Sequence, residues 1–279
     1  MASPIQWYPG HVAKAERALK EHLQRVDAVI ELRDARIPLA SAHPRMAQWL
    51  AGKVRLLVLN RVDSISSGDR QAWQDWFRRQ GEVVYFTNAQ DGTGVAHLLQ
   101  AAQAVGAQIT ARRQARGMLP RPVRAVTLGF PNVGKSALIN RLLRRRAVES
   151  ANRPGVTRQL RWVRVSDTIE LLDTPGILPP VLSDARAAVK LAICDDIAAA
   201  AYDPVLVAAE AVDLLQQRGA PLTERYGLAI APGAVFVAAL AQAQCHGDTA
   251  KAARRILDDF RKGKLGAIAL ERPEDFAVG

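Results

Sequence analysis

The octapeptide Gly129-Phe130-Pro131-Asn132-Val133-Gly134-Lys135-Ser136 constrains this chain more than any other feature. It fits the phosphate-binding pattern GxxxxGK[ST], which works in one setting only. A buried strand must enter the loop and a helix must leave it, so that backbone N–H groups wrap an anion at the helix N-terminus. Both are predicted: an apolar run spans 123–128, and a helical pattern follows the loop. Asn132, Val133, Gly134, Lys135 and Ser136 are therefore candidate nucleotide contacts. Lys135 is placed to reach the β- and γ-phosphates, and Ser136 to bind Mg2+.

The rest of the first part supplies the sheet such a loop needs. Compact aliphatic runs at 28–32, 54–59 and 82–86 end at Asp34, Asn60 and Thr87. They alternate with helical patterns at 69–79 and 94–105, and two further strands are predicted at 161–165 and 169–172. An amphipathic helix is expected over 11–26. Alternating strands and helices imply an α/β domain with a mostly parallel sheet. After Pro179-Pro180 the chain turns Ala-rich and helical. We place a domain boundary there, with a 1–180 nucleotide domain followed by a smaller all-α domain at 181–279. The basic, Gly- and Pro-broken stretch 112–122 reads as a surface linker.

Three more segments carry chemistry. Asp173-Thr174-Pro175-Gly176 follows an apolar strand, so Asp173 suits the carboxylate that holds Mg2+ and Gly176 the γ-phosphate contact. Thr157, in a Gly- and Pro-flanked loop, suits a second Mg2+ ligand that engages only with the γ-phosphate; the plainer alternative is a loop threonine of no special role. Asn60-Arg61-Val62-Asp63 is similar to the guanine-selecting NKxD motif of GTPases, with Arg61 where lysine is usual. A carboxylate at Asp63 would accept from guanine N1 and N2, a donor pair adenine lacks. Thr87-Asn88-Ala89 resembles a weaker base-contacting motif, and is equally readable as a surface turn.

The order of these motifs is itself informative. The base motifs at 60–63 and 87–89 precede the phosphate loop, Thr157 and 173–176, whereas the usual GTPase has the phosphate motifs first. The chain is a circular permutation in which segment 106–122 joins the old termini, which domains tolerate because their ends lie close together. On this order, and on the opening Trp7-Tyr8-Pro9-Gly10-His11-Val12, the run Asp34-Ala35-Arg36-Ile37-Pro38 and the C-terminal stretch 247–266, the chain resembles the circularly permuted ribosome-assembly GTPases. Tyr8 and Val12 depart mildly from that family's opening. The resemblance implies a cytoplasmic GTPase with GTP as substrate and Mg2+ as cofactor. It also implies binding to the large ribosomal subunit or its precursor late in assembly, and a helical domain that contacts rRNA.

Small GTPases orient the attacking water with a glutamine after the DxxG glycine; here that position is Ile177. Slow intrinsic turnover, stimulated by the ribosomal particle, is the expectation. The resemblance points to His11 as the candidate catalytic residue, the alternative being a helix-start residue without catalytic role. Asn132 matches an asparagine that in related GTPases helps to bind K+; a side chain satisfying its own loop is the equal alternative.

Charge supports an RNA partner. Residues 1–179 hold 27 basic and 14 acidic residues, against 11 and 13 in 180–279. Arg144 and Arg145 after the phosphate loop, and Lys251, Arg254, Arg255 and Lys262 on a C-terminal helix, are the RNA-contact candidates. With only 5% aromatics, shape and backbone recognition of rRNA is expected rather than base stacking. No DNA partner is expected. Two cysteines exclude a disulfide scaffold and suit a reducing cytoplasm. No apolar run is long enough to span a membrane. The competing readings are a nucleotide-gated RNA chaperone whose hydrolysis is incidental, a GTPase serving RNA modification or a small-molecule pathway, and an ATPase with a degenerate base site.

Overall fold

The computed structural model describes residues 19, 21–50, 52–143, 161–174 and 184–276. The opening segment with His11, and Arg144, Arg145, Thr157 and Gly176, lie outside these residues. Of the helix expected over 11–26, residues 19 and 21–26 are described; 19 and 21–23 are helical, and the helix ends at Leu23 instead of Val26, with a turn at 24–25.

The element order is β1 (Ala28–Asp34), α1 (Met46–Leu50), β2 (Val54–Asn60), α2 (Ser67–Arg79), β3 (Val84–Thr87), α3 (Val95–Gln114), β4 (Val123–Leu128), α4 (Lys135–Leu142), β5 (Arg161–Arg164) and β6 (Ile169–Asp173). The helical region follows with α5 (Ala185–Ile193), α6 (Pro204–Gln217), α7 (Leu222–Tyr226), α8 (Gly233–Gln244) and α9 (Thr249–Arg261). The strands form one sheet in the order β3-β2-β1-β4-β6-β5, parallel except for β5 against β6. Every residue of β1 is buried, as a central strand covered on both faces requires.

The chain order around the sheet reverses between β1 and β4. From β4 it moves one way to β6 and β5; from β1 it moves the other way to β2 and β3. Ligands bind outside the carboxyl ends of strands at such a reversal. Because β1, β2, β3, β4 and β6 run parallel, Asp34, Asn60, Thr87, Gly129 and Asp173 all emerge at one edge.

Two expectations need correction. Helix α3 runs to Gln114 instead of stopping near 105, so the irregular connection is confined to 115–122. Gly106 is buried inside the helix, and a Cβ there would make only ordinary contact with Val123 Cγ2, at 3.5 Å. The alanine-rich sequence carries the helix past it. Strand β3 begins at Val84 instead of Glu82, and Val83 is exposed.

One apolar cluster runs from Ile30 and Val58 in the sheet through Phe130 to Leu191, Val207 and Phe236 in the helical region. In that region Asp184, Asp203 and Asp248 cap α5, α6 and α9 by accepting from backbone N–H groups in the first turns. Helices α6 and α8 approach closely at Gly233, where any Cβ would collide with Ala209 O. After α9 the chain returns to the sheet. Leu270 N and Glu271 N donate to Arg36 O, and Trp73 Nε1 donates to Glu271 O at 3.2 Å. The buried Glu271 carboxylate accepts from Leu39 N (2.8 Å), Ala40 N (3.2 Å) and Lys190 Nζ (3.0 Å). This strap fastens the helical region onto the loop after β1.

Candidate nucleotide site

Strand β4 ends in Leu128, and the loop 129–134 turns directly into α4. Two glycines make the turn possible. Gly129 brings its Cα against Leu32 O, leaving no room for a Cβ. Gly134 has φ +102° and lies against the Asn60 amide, so a side chain there would be both strained and in collision. Lys135 Nζ donates to Gly129 O (3.2 Å) and Phe130 O (2.7 Å), which holds the ammonium inside the loop. Burial lowers its pKa to about 8, against the opposing pull of Asp173 and Asp196.

Asp173, at the end of β6, lies beside the start of α4. Ser136 Oγ donates to Asp173 Oδ2 at 3.5 Å, while Asp173 Oδ1 is buried with no hydrogen-bond partner. Burial pushes this carboxyl up to about 6, with Lys135 and the Ser136 hydroxyl pulling the other way. A hydroxyl beside a carboxylate with an unmatched buried oxygen is a donor set for a hard cation, so these residues fit Mg2+.

Asn60 is the joint between phosphate and base segments. Its Nδ2 donates to Val133 O at 2.8 Å; its Oδ1 accepts from Ala89 N (3.0 Å) and Thr87 Oγ1 (3.1 Å). The segment 87–89 is thereby bonded into the site, beyond what a plain surface turn explains. Asn88 closes its own loop through Asp91 and Gln90 N. Asp63 stands exposed on the short helical turn after Arg61. Arg61 adopts a left-handed backbone (φ +65°) and donates from its guanidinium to Asn132 O at 2.6 Å. Its Nε lies 3.6 Å from Asp34. In this arrangement Arg61 braces the phosphate loop at Asn132.

Some of the site was not legible in the sequence. Asp34 is fully buried and pairs with Arg36, whose Nη2 lies 2.6 Å from Oδ2 and also donates to Cys194 O at 2.9 Å. Burial alone would raise the Asp34 pKa, but the Arg36 and Arg61 charges hold it below the ordinary value. Asn132 Nδ2 donates to Asp195 O (2.8 Å) and Asp195 Oδ2 (3.3 Å), so it does not merely satisfy its own loop. A carboxylate at the end of a central strand could have flagged Asp34. Nothing local flags Asp195, which is 63 residues from its partner.

The RNA-contact candidates described by the structure lie on or just after α9. Lys251 and Arg254 are exposed. Arg255 donates to Gln244 Oε1 at 2.7 Å and lies over the Tyr226 ring, while Lys262 pairs with Asp258 at 2.8 Å. Arg261, the last residue of α9, turns inward. It donates to Ile193 O (2.9 Å), Ala192 O (2.7 Å) and Tyr202 Oη (2.9 Å), because the end of α5 leaves carbonyls to be capped. Among the described residues no helix is long and apolar enough to cross a membrane.

The family described as 50S ribosome-binding GTPase matches residues 124–222. Ribosome biogenesis GTPase A of Bacillus cereus is 36% identical over 281 residues, covering 98% of this chain and 95% of the relative. The protein of that name from Bacillus licheniformis is 35% identical, covering 97% and 99%. Among solved structures, GNP-bound YlqF from T. maritima superposes with a TM-score of 0.70 at 25% identity, covering 94% of this chain and 99% of that one.

Proposed function

The chain belongs to the ribosome biogenesis GTPase A family of circularly permuted GTPases, and on that premise we propose that it hydrolyses GTP as a switch on the large ribosomal subunit, or its precursor, late in assembly. The observation that carries this reading is the Asn60 joint. It bonds the loop at Val133 to the segment at Ala89, which supports a single guanine-nucleotide site drawn from segments far apart in the chain.

In this site Lys135 faces the β- and γ-phosphates, and the N-terminus of α4 faces their negative charge. Ser136 and Asp173 would hold Mg2+, with Thr157 joining them when the γ-phosphate is present, and the ion would offset charge on the phosphate oxygens. Gly176 offers its N–H to the γ-phosphate. Asp63 selects guanine, and Arg61 ties the base segment to the phosphate loop. His11 positions the attacking water when the protein is bound to the particle, which accounts for an isoleucine at 177. A potassium ion beside Asn132 would add positive charge next to the phosphates. It would be bound through Oδ1, since Nδ2 donates to Asp195.

Residues 181–279 form the rRNA-contacting domain in this reading. Lys251, Arg254, Arg255 and Lys262 supply phosphate contacts on its surface, and Arg144 and Arg145 supply them beside the nucleotide. A cytoplasmic location follows from the ribosomal partner. GTP holds the protein on the particle, and hydrolysis releases it.

The test is GTP turnover in potassium buffer with and without purified large subunits. The expected rise is tenfold or more, equivalent to about 1.4 kcal/mol of transition-state stabilisation. An unchanged rate with binding confirmed in the same samples rejects mature subunits as the trigger. A His11→Ala protein with full subunit-stimulated turnover removes His11 from the mechanism.

A further inference from the structure

Four non-glycine residues have left-handed backbone among the described residues, and three of them meet at one point. They are Arg61 (φ +65°), Asn132 (φ +56°) and Asp195 (φ +66°). Arg61 belongs to the base segment, Asn132 to the phosphate loop and Asp195 to the turn after α5. Each such residue costs about 1 kcal/mol or more, and strain of this kind gathers where function requires it. Here hydrogen bonds lock all three together. Arg61 donates to Asn132 O at 2.6 Å, and Asn132 Nδ2 donates to Asp195 O and Asp195 Oδ2. The phosphate loop is thus gripped from the base side by its carbonyl and from the helical side by its amide.

The helical side leads on to α9. Arg261 places its Nη1 3.8 Å from Asp195 Oδ1 and caps α5 at Ala192 O and Ile193 O. It is the last residue of α9, directly before Lys262. The next carboxylate in the turn, Asp196, is fully buried with both oxygens unpartnered, and burial with the nearby Asp34 charge pushes its pKa well up against the pull of Arg61 and Arg36. The turn therefore carries one engaged acceptor and one buried acceptor still unmatched.

We propose that Asp195 is a positioning residue for the phosphate loop, and that the Asn132–Asp195 contact carries the nucleotide state of the site through Arg261 to the basic face of α9. This rests on the GTPase reading above and adds to it the path from nucleotide to RNA-facing surface. Spatial continuity alone does not establish coupling, so the test measures the coupling itself.

The full-length protein is loaded with GDP or with a non-hydrolysable GTP analogue, and amide hydrogen exchange is followed in peptides covering α5, its turn and α9. GDP release is timed in parallel with a fluorescent GDP. Asp195→Gly is the principal variant: it keeps the left-handed backbone and the carbonyl acceptor and removes only the carboxylate. Asp195→Asn keeps an oxygen acceptor and tolerates the same backbone. In the unsubstituted protein, exchange in α5 and α9 differs between the two nucleotides. In Asp195→Gly that difference falls by about half or more, and GDP leaves roughly three- to tenfold faster, the range one hydrogen bond supports. Asp195→Asn restores both towards the unsubstituted values, which a loss of general stability would not do. If Asp195→Gly does not unfold cooperatively, Arg261→Gln takes its place, and the nucleotide-dependent difference in α9 is expected to fall with it.

The proposal is overturned if the exchange difference persists unchanged in the variant, or if the unsubstituted protein shows none in α5 and α9. Absence of guanine-nucleotide binding in the unsubstituted protein overturns the GTPase reading and this proposal together, which separates that failure from the others.

Discussion

Replacing Asn60 with alanine tests the site at the point where its parts are joined. The side chain is almost fully buried and makes three hydrogen bonds: one donated to Val133 O and two accepted, from Ala89 N and Thr87 Oγ1. At about 1 kcal/mol net each, their loss costs about 3 kcal/mol. Alanine supplies no partner for the groups left behind. Water reaching the nucleotide side can satisfy some of them, so the expected loss of folding stability is about 2–4 kcal/mol. Nucleotide affinity should fall as well, because Val133 and Ala89 are no longer held in register; a loss of about 1.4 kcal/mol would weaken GDP binding tenfold. Urea unfolding and titration with a fluorescent GDP, run on the same preparations, read the two effects separately. A variant within about 0.5 kcal/mol of the unsubstituted protein, with unchanged GDP affinity, would falsify the assignment of Asn60 as the joint.

Four other outcomes are expected. Gly134→Ala forces a Cβ onto the Asn60 amide at φ +102°, so it should cost about 2 kcal/mol or more and abolish measurable GTP binding; a stable, GTP-binding variant contradicts the steric argument. His43 is buried, stacked at 4.2 Å on Trp49, and burial with the nearby Arg45 charge depresses its pKa from 6.5 to about 4. Between those values the unfolded chain binds the proton and the folded one does not, so this contribution to stability is lost as pH falls from 6.5 through 4. His43→Gln should shrink the difference between urea midpoints at about pH 7.5 and about pH 5, and an identical difference would count against it. Glu271→Ala removes the acceptor of Leu39 N, Ala40 N and Lys190 Nζ and should lower stability by about 3 kcal/mol in urea; a change below about 1 kcal/mol would mean the strap adds little. Turnover should be faster in potassium than in sodium, and equal rates would dispose of the ion beside Asn132.

Those tests also separate what could be read along the chain from what could not. The phosphate loop, the strand-end carboxylate Asp173 and the base segment at 60–63 were legible because each depends on local chemistry. The tight turn of the loop needs glycines where Gly129 and Gly134 stand, and Asp173 ends a buried strand. The permuted order was legible for the same reason, since it is the order of such segments. The end of α3 was misread, because the apolar pattern fades near 105 while alanine-rich sequence carries the helix on to Gln114.

By itself, then, the amino-acid sequence determined the α/β class, the phosphate-binding chemistry and the order of the motifs, all of which follow from residue type and spacing over a few turns. Only the tertiary structure decided which distant groups share a hydrogen bond. Asn132 meets Asp195, Glu271 meets Leu39 and Ala40, and Arg261 turns from a surface cation into a helix cap. Each of these contacts satisfies a donor or acceptor that folding takes away from water. The partner is whichever group the packing of the helical region brings within reach, and that depends on the whole buried interface rather than on any local run of residues.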